Sequence, residues 1–99
     1  MRERTIENYL TREVVKRGGR TKKLTSKRGD PDRIVLWPAG TVCKIQAKTH
    51  YVEMKAPYGE LSDIQRFELG KLKGQGFAVY VLWTKEHVDL YIKSLFGEN

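Results

Sequence analysis

The chain has 99 residues, 39% hydrophobic and 31% charged, with a formal net charge of +7. That length suits one domain over residues 1–99 with a single modest core, and the composition is globular rather than disordered. No apolar run approaches the ~20 residues that span a bilayer, so membrane insertion is not expected, and "MRERTIENYL" does not read as a secretory signal. Cys43 is the only cysteine, which excludes an intrachain disulfide and points to a reducing, intracellular, cytoplasmic setting.

Ile6, Tyr9, Leu10 and Val14 recur at helical spacing, so residues 3–17 are predicted to form an amphipathic helix ended by Gly18 and Gly19. Residues 20–29 are polar and basic, hence a loop or a short irregular strand. "RIVLW" (33–37), "TVCKIQA" (41–47) and "HYVEMK" (50–55) read as strands of a meander. A second helix is expected to start near Ser62, with Ile64, Phe67 and Leu72 on its apolar face and Gly74 or Gly76 as its stop. "FAVYVLW" (77–83) is almost wholly apolar, as expected of a strand buried on both faces. Thr84 is a suitable N-cap for a last helix with Val88, Tyr91, Ile92 and Leu95 inward. The predicted order is α-β-β-β-α-β-α. A crossover through the second helix returns the last strand in parallel and makes a mixed four-stranded sheet, an α+β arrangement.

Charge is unevenly spread. Lys16, Arg17, Arg20, Lys22, Lys23, Lys27 and Arg28 form a dense basic run, which attracts the phosphate backbone of a nucleic acid. A solvated loop is the bland alternative. Against this background "GDPDRIVLWP" (29–38) sets two aspartates at the mouth of a strand, where a turn cap and a metal site compete. On "YVEMK" side chains alternate, so Glu53 and Lys55 share one face while Val52 and Met54 take the other. Hard Mg²⁺ needs converging carboxylates, and a lysine beside it can orient the attacking water and offset charge on a phosphate.

"RGDPDRIVLWPAG" followed by "YVEMKAPYGELSDIQ" resembles the VRR-NUC (virus-type replication-repair nuclease) family of the PD-(D/E)xK superfamily. The likeness rests on Gly29, Pro31 and Asp32, then Val52, Glu53 and Lys55, then Leu61, Ser62 and Gln65. It extends to "ERTIENYL" and "GFAVYVLW", and the size is similar to the stand-alone phage form. The resemblance implies a restriction-endonuclease-like core and a Mg²⁺- or Mn²⁺-dependent DNA endonuclease selective for branched or flapped substrates, commonly as a homodimer. It implies Asp32, Glu53, Lys55 and Gln65 as catalytic residues. Glu7, Asp32, Glu53 and the carbonyl of Met54 are implied as metal ligands.

Alternatives remain at several positions. Glu3 lies one helical turn from Glu7 on the same side. "SDIQ" is also a capping box, which by itself accounts for Ser62 and Gln65. Tyr51 and Tyr58 can stack on bases, but core or rim packing is the expected role. His50 and His87 lack metal-ligand spacing, so zinc is not expected. A non-catalytic double-stranded nucleic-acid-binding module shares the opening α-β-β-β-α order, but residues 62–69 lack the lysines such a module needs on its last helix.

Overall fold

The computed structural model describes residues 3–25 and 29–97. The elements run α1 (Glu3–Lys16), β1 (Arg20–Lys23), β2 (Arg33–Leu36), β3 (Thr49–Met54), α2 (Asp63–Gly74), β4 (Ala78–Leu82) and α3 (Lys85–Phe96). The sheet has the order β1-β2-β3-β4. The first two pairings are antiparallel and β3 meets β4 in parallel, so the mixed four-stranded sheet is as expected.

One strand changes identity. Residues 20–23, expected to be loop or irregular strand, pair regularly with β2. Residues 41–47, expected to be a strand, are loop. Thr41 N–H turns back to the Pro38 carbonyl (2.9 Å), and Lys44 N–H donates to the Leu95 carbonyl (2.7 Å). The backbone of this segment therefore bonds within its own turn and to the end of α3 rather than to the sheet. Its apolar alternation reflects Cys43 and Ile45 dipping toward the core while Val42 stands exposed.

The core lies between one sheet face and the helices α1 and α3. Ile6, Leu10 and Val14 meet Val88, Tyr91, Ile92 and Leu95, over Val35, Val52, Met54 and Leu82 from the strands. Each such side chain contributes about 1.5–3 kcal/mol on burial. After α1, Gly19 packs so close to Trp37 and Val14 that a Cβ there would lie 2.7 Å from both. A polar chain runs through the same layer. Trp37 Nε1–H donates to Tyr91 Oη (3.4 Å), Tyr91 Oη sits 2.7 Å from His50 Nδ1, and His50 Nε2 lies 2.7 Å from the Ala47 carbonyl. A carbonyl only accepts, so His50 carries its proton on Nε2 and Nδ1 accepts a hydrogen bond from the Tyr91 hydroxyl. Burial holds this histidine below its usual pKa, in keeping with a neutral ring.

The opposite face is thinner. α2 lies beside β4, and Leu69 is its buried residue, whereas Ile64 and Phe67 of the expected apolar face are exposed. The expectation that residues 77–83 are buried on both faces also fails. β4 is an edge strand, so Leu82 alone in it is buried and Phe77 stands 48% exposed. Among the described residues no helix is long and apolar enough to cross a membrane.

Candidate active site

The register that pairs Arg33 with Val52 draws Asp32 alongside Glu53. Asp32 Oδ1 accepts the Met54 backbone N–H at 3.3 Å, and its own carbonyl accepts from Leu24 N–H at 2.8 Å. The carboxylate thus bonds across the sheet rather than capping a local turn. Met54 takes part through its backbone, its side chain being buried in the core.

α1 brings two acids to the same corner. Glu3, Glu7 and Asp32 each offer an oxygen, all within 4.8 Å of one another. Glu3 and Glu7 thus both face Asp32, since one helical turn puts them on the same side of α1. Glu7 also pairs with Arg33 at 3.4 Å, and Arg33 reaches Thr21 Oγ1 at 3.4 Å. Burial is the main cause that raises the Asp32 carboxyl, against the Met54 N–H that lowers it; Glu7 and Glu3 raise it further.

Glu53 is 4% exposed and turns toward different partners. Its Oε2 accepts from Gln65 Nε2 at 2.9 Å and lies 3.7 Å from Lys55 Nζ. Burial, then the charge of Asp32, pushes its carboxyl up to about 7, while Lys55 and a hydrogen bond from the Asp32 backbone pull it back. Gln65 serves two ends at once. Its Oε1 accepts Ser62 N–H at 2.9 Å while Ser62 Oγ accepts Gln65 N–H at 3.1 Å, completing the capping box. Its Nε2 is left to hold Glu53, so the cap and the contact with the acid are one device.

Three carboxylates, from Glu3, Glu7 and Asp32, converge, and Glu53 lies beside that group rather than in it; with Arg33 on Glu7 and Lys55 on Glu53, four acids and two cations leave a formal charge of −2 if all are ionised. The donors are hard oxygens with no thiolate or imidazole among them, which fits Mg²⁺ or Mn²⁺ better than zinc. The raised carboxyls mark the same fit, because a bound dication favours the charged form against the burial that chiefly raises them and the acid–acid repulsion that adds to it.

The basic run divides. Lys16, Arg20, Lys22 and Lys23 are exposed, the last three on or at the end of the edge strand β1. Arg17 turns back on α1 to the Glu13 carboxylate at 3.2 Å. Lys27 and Arg28 lie outside the described residues. His50 belongs to the core network, and His87 Nδ1 accepts Trp83 N–H at 3.1 Å at the start of α3. Tyr51 packs edge-to-face on Phe77 at 5.9 Å, but Tyr58 is fully exposed, which corrects the expectation of core or rim packing. Sequence reasoning missed Arg33. Its position next to Asp32 was the only hint, and only the sheet register reveals its partner on α1.

No family model matches the chain. A curated relative named "Putative nuclease p44", from Acyrthosiphon pisum secondary endosymbiont phage 1, is 38% identical over 88 residues, covering 87% of each chain. A solved structure described as "VRR_NUC domain" superposes with a TM-score of 0.76 at 23% identity, over 92% of this chain and 94% of that one.

Proposed function

Because the chain belongs to the VRR-NUC nuclease family, in a stand-alone phage-like form with a restriction-endonuclease-like fold, we propose that it is a Mg²⁺- or Mn²⁺-dependent endonuclease hydrolysing DNA phosphodiester bonds. The observation that carries this reading is the meeting of Glu3 and Glu7 of α1 with Asp32 at the mouth of β2, while Glu53 on β3 lies near enough for the Asp32 charge to raise its carboxyl and has Lys55 at 3.7 Å. Glu3, Glu7, Asp32 and Glu53, with the Met54 carbonyl, are the groups that would hold the ion. A bound divalent ion supplies Lewis-acid polarisation of the phosphate and eases deprotonation of water. The rest of the chemistry belongs to side chains. Lys55 offers hydrogen bonds to the attacking water and to the charge growing on the phosphate. Gln65 fixes the direction of the Glu53 carboxylate, and Arg33 holds Glu7 against Asp32.

The exposed cations of β1, with Lys16 and the neighbouring Arg17, Lys27 and Arg28, grip backbone phosphates without reading bases. Substrate choice then follows DNA shape, which favours branched or flapped duplexes in replication, recombination or repair. The half-covered apolar surface of β4 and α3, with Phe77 and Leu90 exposed, supports a homodimer. We read residues 1–99 as one nuclease domain acting in the cytoplasm, the host's where the source is a phage.

The test is cleavage of labelled junction, flap and linear duplex DNA in Mg²⁺, Mn²⁺ and EDTA, beside Asp32→Asn and Lys55→Met. Cutting that requires the ion and falls at least 100-fold in both variants is expected. Cutting in EDTA, or variants as fast as the parent, overturns the reading. DNA binding without cutting under any ion would make the protein a binding module.

A further inference from the structure

The loop leaving the acidic corner carries a feature that the chemistry above does not use. Ala56-Pro57-Tyr58-Gly59 closes with Gly59 N–H donating to the Ala56 carbonyl at 2.8 Å. Proline at the second position and a positive φ at the third are the type II pattern, whose third position normally goes to glycine or asparagine. Here it is Tyr58, at φ 68°, the positive-φ residue other than glycine among the described residues. A bulky side chain in that region is strained. The ring recovers nothing from the fold, because it is fully exposed and no hydrogen bond or ring contact holds it among the described residues.

The turn itself is firmly held. Lys55 N–H donates to the Leu82 carbonyl at 3.0 Å where the loop leaves β3. The Gly59 carbonyl accepts the Trp83 indole N–H at 2.7 Å, tying the far end of the turn to the end of β4. A Cβ at Gly59 would come within 2.9 Å of the Ala56 carbonyl, so the closure needs glycine there. An aromatic ring is thus fixed in solvent three residues from Lys55, with Cα atoms at most about 11 Å apart. That reach is about three base-pair steps of 3.4 Å.

We propose that Tyr58 is a substrate-binding residue that stacks on an unpaired base next to the cleaved phosphodiester and so favours branched or flapped DNA over intact duplex. The assignment rests on the nuclease reading above. A duplex buries its base faces in the helical stack, whereas a flap or junction exposes one to an aromatic platform, and stacking of this kind is indifferent to base identity. It therefore adds shape selectivity that the phosphate contacts of β1 do not supply.

The experiment uses a flap oligonucleotide with 2-aminopurine at the unpaired positions, with binding followed in EDTA and cleavage in Mg²⁺ or Mn²⁺. Parent, Tyr58→Ala, Tyr58→Gly and Tyr58→Phe are compared on flap and linear duplex. The parent is expected to quench the 2-aminopurine. Tyr58→Ala and Tyr58→Gly should lose the quench and bind the flap about tenfold more weakly, with duplex binding changed less than twofold. Tyr58→Phe should keep both properties, and Tyr58→Gly should melt above the parent because the strain is gone. If the parent cuts the flap and Tyr58→Ala binds it within twofold of the parent, the stacking role is overturned and the nuclease reading stands. If the parent neither binds nor cuts any DNA, both fall together.

Discussion

Glu53 makes the clearest quantitative case, because the same burial that suits it to a cation destabilises the metal-free fold. Its side chain is 5% exposed and its carboxyl is raised from 4.5 to about 7. Below pH 4.5 the group is neutral in both folded and unfolded chains, and no penalty exists. Between 4.5 and 7 the unfolded chain releases its proton while the folded one keeps it, so stability falls as pH rises. Above 7 the full difference applies, about 3 kcal/mol at 1.36 kcal/mol per unit. Glu53→Gln removes the charge while its oxygen can still accept from Gln65 Nε2. The new amide N–H₂ takes the place of the other oxygen and lacks a good acceptor, which returns about 1–2 kcal/mol of the gain. A net stabilisation of about 1–2 kcal/mol is expected, or a Tm rise of about 5–15 °C for a domain of this size. Calorimetric melts in EDTA at pH 8 and pH 4.5 test it, since the advantage at pH 8 should reverse to a deficit of about 1 kcal/mol at pH 4.5, where the carboxyl penalty is nearly gone and the amide cost remains. A variant less stable than the parent at pH 8, or a difference that ignores pH, refutes the reasoning. Activity should fall at least 100-fold in the same variant.

Gln65→Glu keeps a capping box but sets a carboxylate against Glu53, so helix stability at pH 8 should hold within about 1 kcal/mol while cleavage is lost; Gln65→Ala should lower both. Equilibrium binding of flap DNA should weaken steeply with salt, and Arg20→Ala and Lys22→Ala should each lower the slope of log K against log salt by about 1. A flat salt profile would remove β1 from the interface. Tyr91→Phe leaves His50 Nδ1 and Trp37 Nε1 without their buried partner, so it should cost about 1–3 kcal/mol in urea titrations with cleavage unchanged at a temperature where the variant is folded.

Local pattern was enough for much of this molecule. The stripes of α1 and α3 lie in the core because 3.6-residue periodicity needs no knowledge of the rest of the chain. The association of Asp32, Glu53 and Lys55 was legible as motif, and the capping box at Ser62 as spacing. Periodicity cannot separate a strand from a loop dipping twice into the core, as in residues 41–47, nor does it choose between loop and strand for the basic residues of β1, which pair regularly with β2. Nor could it say which apolar stripe remains uncovered, since that depends on β4 lying at the sheet edge. Only the tertiary structure adds Glu3 and Arg33 to the Glu7 and Asp32 that the resemblance implies, because that meeting depends on how α1 packs across strands distant in sequence. It alone leaves Tyr58 in solvent, because a ring's surroundings are set by what the chain does elsewhere. Chemistry carried by neighbours in sequence can be read from the letters; chemistry carried by neighbours in space waits for the packing that brings them together.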